Sequence, residues 1–171
     1  MIYEPAEDSW MLEEEVKKYA KGKVLDMGCG SGIQALAALE NTKDVLAADI
    51  NEEAVKYCKD KGINAVSSDL FEQVTGKFDL IIFNPPYLPG DPQEPRDSAL
   101  ATTGGKKGNE VLARFLKKAK DYLIKDGKIL IVVSSLTPKV ETLIKKNGFM
   151  FVLLKEKKID WESLKVYLIY P

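Results

Sequence analysis

The sequence predicts an α/β fold built around an open, mostly parallel sheet. Short apolar segments alternate with amphipathic helical segments along most of the chain, which is the pattern of successive strand–helix units. The last two apolar segments, 149–155 and 164–170, have no helical segment between them, so we expect these strands to pair antiparallel. With 171 residues, 45% of them hydrophobic, the chain fits one globular domain over residues 1–171.

The predicted helices and strands follow one another at regular intervals. Helical spacing of apolar residues predicts helices over 8–20, 33–39, 52–61, 109–123 and 138–146. Apolar runs predict strands over 23–27, 44–50, 63–67, 78–84, 128–133, 149–155 and 164–170. We expect Asp8 or Ser9 to cap the first helix, and a turn at Asp126-Gly127 to precede the fifth strand. The result is five strand–helix units followed by two strands that pair antiparallel.

The composition limits the chemistry available to the chain. The formal net charge of -1 argues against binding nucleic acid mainly through bulk electrostatics. Histidine is absent, which removes the usual general base near neutral pH and most zinc sites. Cys29 and Cys58 are not spaced as a metal-binding motif. We therefore predict no metal site and a reducing environment.

No targeting or membrane segment is predicted. The amino terminus lacks the basic and apolar blocks of a signal peptide. No apolar run approaches the roughly 20 residues that span a bilayer. We therefore expect a cytoplasmic protein with no membrane partner.

The segment Asn84-Pro85-Pro86-Tyr87 follows the apolar run 80–83, which is predicted to be a buried parallel strand. Open α/β sheets bind ligands at the carboxyl ends of such strands. Because Pro85 restricts the backbone of Asn84, the asparagine side chain is held with little freedom. Its amide can grip another amide or an exocyclic amine, and Tyr87 adds a flat aromatic face. These are the candidate catalytic and substrate-binding residues.

A glycine-rich run, 28–32, connects the first strand to the next helix. Its glycines allow a sharp turn and a close approach of the backbone to a ligand. Asp26 stands at the end of the strand before it, where a carboxylate would repel a pyrophosphate and attract a cation. The pattern therefore favours a cationic ligand over a dinucleotide.

Acidic residues also follow the second and third strands. Asp49 ends the second strand, where an acceptor suits the two hydroxyls of a ribose. Asp69 follows the third strand, and Leu70 beside it offers an apolar cover for an adenine ring. Each acid alone is more often a solvated loop residue or a cap. Three acids at one edge of a sheet, with Asp26 as the first, form a pattern that indicates a binding site.

This whole pattern resembles the seven-stranded class I S-adenosylmethionine-dependent methyltransferases, a Rossmann-like mixed sheet with helices on both faces and the last strand antiparallel. The resemblance implies S-adenosylmethionine as the cofactor. It places the methionine end at the glycine-rich run, the ribose at Asp49, and the adenine at Asp69 with Leu70. The implied cofactor-binding residues are Ser9, Asp26, Gly28, Gly30, Asp49, Ile50, Asp69, Leu70 and Asn84.

Two motifs narrow the resemblance. The tetrapeptide 84–87 occurs in methyltransferases that modify a planar nitrogen, either a glutamine amide or the amino group of adenine. The segment Tyr3-Glu4-Pro5-Ala6-Glu7-Asp8-Ser9 resembles the signature of the short archaeal and eukaryotic branch of HemK-type enzymes, and so does the run 104–108. That branch methylates a glutamine in translation release factors. The resemblance implies that residues 1–20 cover the cofactor site and that a small zinc-binding activator protein covers the edge strand containing Val45 and Leu46.

The chemistry of an amide substrate predicts roles at the reaction centre. Asn84 and Pro85 would accept the two hydrogens of the substrate amide, while Pro86 and Tyr87 complete the substrate-binding set. Three alternatives remain open on the sequence: an adenine methyltransferase acting on nucleic acid, a protein lysine methyltransferase, and a non-catalytic methyltransferase-like scaffold. The absence of a basic excess makes nucleic acid the less expected partner.

Overall fold

The computed structural model describes residues 1–86, 99, 102–105 and 107–171. Its helices are α1 (Glu7–Tyr19), α2 (Ile33–Leu39), α3 (Glu52–Asp60), α4 (Glu110–Ala119) and α5 (Val140–Lys146), with a 3-10 turn at Lys120–Tyr122. Its strands are β1 (Lys23–Met27), β2 (Asp44–Asp49), β3 (Ala65–Ser67), β4 (Phe78–Phe83), β5 (Leu123–Ser134), β6 (Met150–Ile159) and β7 (Glu162–Tyr170).

All seven strands belong to one sheet, in the order β3-β2-β1-β4-β5-β7-β6. Strands β1 to β5 are parallel to one another, and β7 is antiparallel to both β5 and β6. This confirms the predicted mixed sheet with an antiparallel finish. Sequence order runs outward in opposite directions from the β1–β4 pair, so this pair is the topological switch point, where open α/β sheets form their ligand crevice.

Helices cover both faces of the sheet, as predicted. On one face, Leu12 and Val16 of α1 and the alanines of α2 pack against β1, β4 and β5. On the other face, Phe115 and Leu116 of α4 pack against Phe83 and the other buried side chains that β1, β4 and β5 present to that face. Each fully buried side chain of this size contributes about 1.5–3 kcal/mol of hydrophobic stabilisation. Because both faces of β4 are covered, its sequence is continuously apolar from Leu80.

Several predicted boundaries were wrong. The fourth helix ends at Ala119 and not at 123, because β5 begins at Leu123 and includes the predicted turn at Asp126-Gly127. Asp126 has φ +67°, and the pairing of β4 with β5 shifts register here, so the turn residues form an irregularity inside a strand. The predicted count of five strand–helix units was also wrong, because residues 68–77, after the third strand, form turns and no helix. Helix α1 is flanked by Ala6 as its N-cap, not by Asp8 or Ser9.

The predicted edge strand was also wrong. Val45 and Leu46 lie in β2, which pairs with β1 on one side and with β3 on the other. The edges of the sheet are β3 and β6. The assignment of the whole chain to one domain, with residues 1–20 over the cofactor site, stays a prediction. In the described ranges, no helix combines the length and the apolar character that crossing a membrane requires.

Candidate active site

A cavity of about 720 Å³ opens at the carboxyl ends of β1, β2 and β4, beside the switch point. The N-terminal segment, the loop after β3 and the start of α4 complete its wall. One predicted site residue, Asp26, is buried beneath this wall, and another, Tyr87, lies outside the described residues. The predicted residues on the wall are Ser9, Gly28, Gly30, Asp49, Ile50, Asp69, Leu70, Asn84, Pro85 and Pro86.

The glycine-rich loop after β1 is wound tightly under the cavity. The backbone N–H groups of Gly28 and Cys29 both donate to the Ala48 carbonyl, at 2.7 and 3.0 Å. Gly32 has φ +82°, and a Cβ there would lie 2.8 Å from Cδ1 of Ile63, so a larger residue would meet both strain and a clash. The thiol of Cys58 packs beneath the loop, 3.4 Å from the Sγ atom of Cys29, and both cysteines are reduced and buried.

Asp26 supports this loop from below. Its side chain is 1% exposed, and Oδ2 accepts a 3.0 Å hydrogen bond from the backbone N–H of Ala35 in the first turn of α2. Burial raises the pKa of the carboxyl well above its ordinary value, and the hydrogen bond from Ala35 opposes this rise. The observed contact therefore fixes α2 against β1. The predicted contact of Asp26 with the cofactor stays a prediction.

Asp49 joins two loops at the cavity wall. Its Oδ2 accepts a 2.9 Å hydrogen bond from the Gly30 N–H, and Oδ1 accepts one of 2.9 Å from the Asn51 N–H. Burial raises the pKa of the Asp49 carboxyl, and the backbone hydrogen bonds lower it. The residue thus holds the glycine-rich loop and the start of α3 together at the position predicted for a ribose.

The region predicted for adenine carries an ion pair. Asp69 Oδ2 lies 3.1 Å from a guanidinium nitrogen of Arg114, and both residues line the cavity. Leu70 adopts φ +49°, a left-handed conformation that costs a branched apolar residue free energy. Ser68 holds this conformation, because its Oγ donates to the Leu70 carbonyl at 2.7 Å and accepts from the N–H of Gln73 at 2.9 Å.

The N-terminal segment brings to the cavity wall two residues that were not predicted to be there, Tyr3 and Asp8. Asp8 is 3% exposed and accepts hydrogen bonds from Tyr3 Oη, at 3.1 and 3.0 Å, and from the Ser9 N–H, at 2.7 Å. Burial and the negative charge of Asp8 together raise the pKa of Tyr3. Tyr3 and Asp8 both belong to the signature over residues 3–9, so the sequence did contain a signal for them. An acid in the first turn of a helix is ordinarily a capping residue, which is why Asp8 was not predicted to belong to the site.

Asn84 lies at the carboxyl end of β4, half-buried in the cavity wall. Its Nδ2 donates to Oδ2 of Asp8 over 3.4 Å. Pro85 is buried. Gly104 packs directly against the Pro86 carbonyl, since a Cβ at position 104 would lie 2.4 Å from that oxygen. Residues 84–86 are thus contacted on both sides, by α1 and by the segment that leads into α4.

Gln34 presents an unusual polar atom beside the cavity. Its side chain is 4% exposed and lines the wall, and Nε2 donates to the Ser9 carbonyl at 2.9 Å. Its Oε1 is buried and has no hydrogen-bond partner among the described residues. A buried acceptor without a donor costs about 1–3 kcal/mol. This atom is therefore a candidate for contact with a ligand donor.

The cavity fits S-adenosylmethionine. Its volume lies in the range of roughly 300–1,000 Å³ that is typical of small-molecule sites. The wall offers a carboxylate for hydroxyl groups at Asp49, apolar side chains at Ile50 and Leu70, and the orphan acceptor of Gln34 for an ammonium group. Within the described ranges, no cluster of three or more His, Cys, Asp or Glu residues is arranged to hold a metal ion.

The sheet order and the cavity together define a class I S-adenosylmethionine-dependent methyltransferase. The chain belongs to the methyltransferase small domain family, whose model matches residues 7–160. It is 42% identical to MJ0928 of Methanocaldococcus jannaschii, which is provisionally named a protein N5-glutamine methyltransferase, over 96% of this chain and 89% of that one. These matches confirm the family resemblance drawn from the sequence.

Two further relatives cover nearly the whole chain. The eRF1 methyltransferase catalytic subunit mtq2 of Schizosaccharomyces pombe is 28% identical over 99% of this chain and 89% of its own length. The solved structure of the E. cuniculi Mtq2–Trm112 complex matches with a TM-score of 0.79 and 26% identity, covering 98% of this chain and 97% of that one. That complex is described as responsible for methylating the translation termination factor eRF1.

Proposed function

We propose that this protein transfers the methyl group of S-adenosylmethionine to the side-chain amide nitrogen of a glutamine in a translation release factor. One observation carries the proposal: Asn84, Pro85 and Pro86 line the same cavity as the glycine-rich loop and Asp49. A side chain that can form hydrogen bonds with an amide is therefore adjacent to the residues proposed to bind the cofactor. The names of MJ0928 and mtq2, and the complex that methylates eRF1, support the same substrate.

The cofactor is held along the wall described above. Asp49 accepts from the ribose hydroxyls, and Leu70 covers the adenine, with Asp69 near its amino group. The loop 28–30 holds the methionine end together with Ser9. Gln34 adds an acceptor for the methionine ammonium group, which satisfies its orphan Oε1.

The reaction requires orientation more than base catalysis. An amide nitrogen is a poor nucleophile because its lone pair is delocalised, and the chain has no histidine to act as a base. Asn84 Oδ1 and the Pro85 carbonyl accept the two amide hydrogens and thereby orient the nitrogen. When bound, S-adenosylmethionine supplies a methyl group on a positively charged sulfur that leaves as the thioether. The nitrogen–carbon bond forms as the sulfur–carbon bond breaks, and the amide proton then passes to water.

A small activator protein completes the proposed enzyme. The E. cuniculi relative was solved as a complex with Trm112. We propose that the equivalent partner here is a zinc-binding protein that adds to the sheet at β3, because β3 is an edge strand of three residues whose following loop forms the cavity wall. A release factor as substrate also places the protein in the cytoplasm.

The decisive experiment measures transfer of labelled methyl from S-adenosylmethionine to purified release factor and to a matched cell extract, each with and without the activator. The expected product loses its label to protease digestion and keeps it under nuclease. A release factor whose substrate glutamine is replaced by alanine should take up no label. Label lost to nuclease would instead establish an adenine methyltransferase, and label on lysine would establish a lysine methyltransferase. Binding of S-adenosylmethionine without transfer to any cell component would indicate the scaffold.

A further inference from the structure

Among the described residues, four donors hydrogen-bond to the carboxylate of Asp8, and one of them belongs to Asn84, the proposed catalytic asparagine. Tyr3 Oη, the Ser9 N–H and Ser9 Oγ donate to it from the N-terminal side, and Asn84 Nδ2 donates from β4, 76 residues away in sequence. Asp8 is buried, so these bonds form with little competition from water. The first turn of α1 is thereby connected directly to the reaction centre.

A carboxylate accepts hydrogen bonds and cannot donate them, whereas a carboxamide has a donor end and an acceptor end. The amide of Asn84 can satisfy Asp8 only by turning its Nδ2 toward it. Oδ1 then points away from Asp8. If the amide rotated by half a turn, two oxygens would face each other in a buried place, which is costly.

We propose that Asp8 is a positioning residue that fixes the orientation of the Asn84 amide and so presents Oδ1 to the hydrogens of the substrate. The inference rests on the proposed function, because it gives Asn84 the role of an acceptor for a substrate amide. Without this anchor, Asn84 would present its donor end to the substrate for part of the time. That orientation repels the substrate N–H groups.

Asp8→Asn tests the inference with little change of shape. The new side-chain oxygen keeps the 2.7 Å bond from the Ser9 N–H, so the new amino group takes the place of Oδ2 beside Asn84. This amino group attracts Oδ1 of Asn84 and turns the amide around. We expect kcat to fall about 100-fold, as when an oriented group is removed elsewhere. The affinity for S-adenosylhomocysteine, measured by calorimetry, should stay within about twofold.

Two variants serve as controls. Tyr3→Phe removes one donor to Asp8 and leaves the contact between Asp8 and Asn84, so it should lower kcat by much less than Asp8→Asn. Asp60→Asn makes the same chemical change at an exposed position outside the cavity, and it should match the wild type. Equal losses in Tyr3→Phe and Asp8→Asn would overturn the inference, because they would indicate a structural role for the whole cluster.

A double-mutant cycle separates an effect on the orientation of Asn84 from a general loss of structure. If Asp8 acts through Asn84, then Asp8→Asn has no further effect on kcat in the Asn84→Ala background. Independent, multiplying losses would overturn the inference.

A second measurement does not need the substrate. Nuclear magnetic resonance of the free protein should show the Asn84 side-chain amide, assigned by its loss in Asn84→Ala, shifted in Asp8→Asn but not in Asp60→Asn. An unshifted signal in Asp8→Asn would overturn the inference. Failure of the wild-type protein to methylate the release factor glutamine, together with the expected shift, would reject the proposed function alone.

Discussion

The Asp49 carboxylate at the end of β2 accepts a 2.9 Å hydrogen bond from the backbone N–H of Gly30, in the loop that follows β1. Asp49 therefore has two roles: it holds the glycine-rich loop through this bond, and the same carboxylate is proposed to bind the ribose. The loop and the sugar site are therefore coupled: a change at Asp49 alters both.

Replacing Asp49 by alanine should weaken binding of S-adenosylmethionine at least about tenfold, which corresponds to about 1.4 kcal/mol. The variant loses the ribose acceptor and releases Gly30 and Asn51. Isothermal calorimetry measures the effect directly. Asp44→Ala, at the exposed opposite end of β2, is the matched control and should bind normally. An unchanged affinity in Asp49→Ala would mean that the ribose lies elsewhere.

Asn84→Ala should separate binding from catalysis. We expect turnover to fall at least about 100-fold, because the substrate amide loses an oriented acceptor. Cofactor affinity should change much less than turnover, because Asn84 is only one of the residues expected to contact the cofactor. The measurement is single-turnover methyl transfer beside calorimetry on the same sample. Asn64→Ala removes an exposed asparagine that is not on the cavity wall and should behave as the wild type. Turnover close to wild type in Asn84→Ala would reject the proposed mechanism.

Gln34→Met should discriminate between two ligands that differ only at the amino-acid end. S-Adenosylhomocysteine carries the ammonium group, and methylthioadenosine lacks it. We expect about 10–100-fold weaker binding of S-adenosylhomocysteine, the range for a lost hydrogen bond to a charged group, and nearly unchanged binding of methylthioadenosine. The exposed Gln73→Met is the control. Equal losses for both ligands would place the orphan Oε1 of Gln34 away from the ammonium.

Asp26→Asn should alter how stability depends on pH. Burial raises the pKa of Asp26 in the folded protein, while the unfolded chain titrates near 3.9. Between these two values the folded state binds more protons than the unfolded state, so the free energy of unfolding falls as the pH rises through this window. Asparagine resembles the protonated carboxyl and cannot titrate. The variant should therefore gain stability relative to the wild type as the pH rises.

Urea unfolding from pH 4.5 to pH 8 measures this difference, and the absence of histidine leaves few other groups that titrate in that range. Asp60→Asn, at an exposed position, should keep the wild-type profile. A constant difference between Asp26→Asn and the wild type at every pH would show that Asp26 does not hold its proton in the folded state.

Local sequence patterns predicted much of this architecture. The glycine-rich run and the apolar strand before Asn84 have strong local signatures, and both were located within a residue or two of their observed bounds. The helix α4 and strand β5 were less predictable. The helical pattern continues to 123 and Asp126-Gly127 indicates a turn, but pairing with β4 extends β5 backwards to Leu123, and such tertiary pairing overrides local preference.

The site itself was less predictable than the fold. Asp8 and Gln34 are polar residues on helices, and sequence alone gives no sign that one is buried against Asn84 and the other lacks a hydrogen-bond partner. Arg114 also escaped prediction, because its ion pair with Asp69 joins residues 45 positions apart. These relationships depend on how α1, α2 and α4 pack around the cavity, which is a property of the whole chain.

The close approach of Gly104 to the Pro86 carbonyl has a consequence for the length of the connection between them. The two points that bound the intervening stretch already touch, so their separation does not depend on how many residues lie between them. Doubling the length of such a connection costs only about 0.6 kcal/mol in closure entropy. Insertions and deletions there thus cost the fold little, because they leave the contact between Gly104 and Pro86 in place.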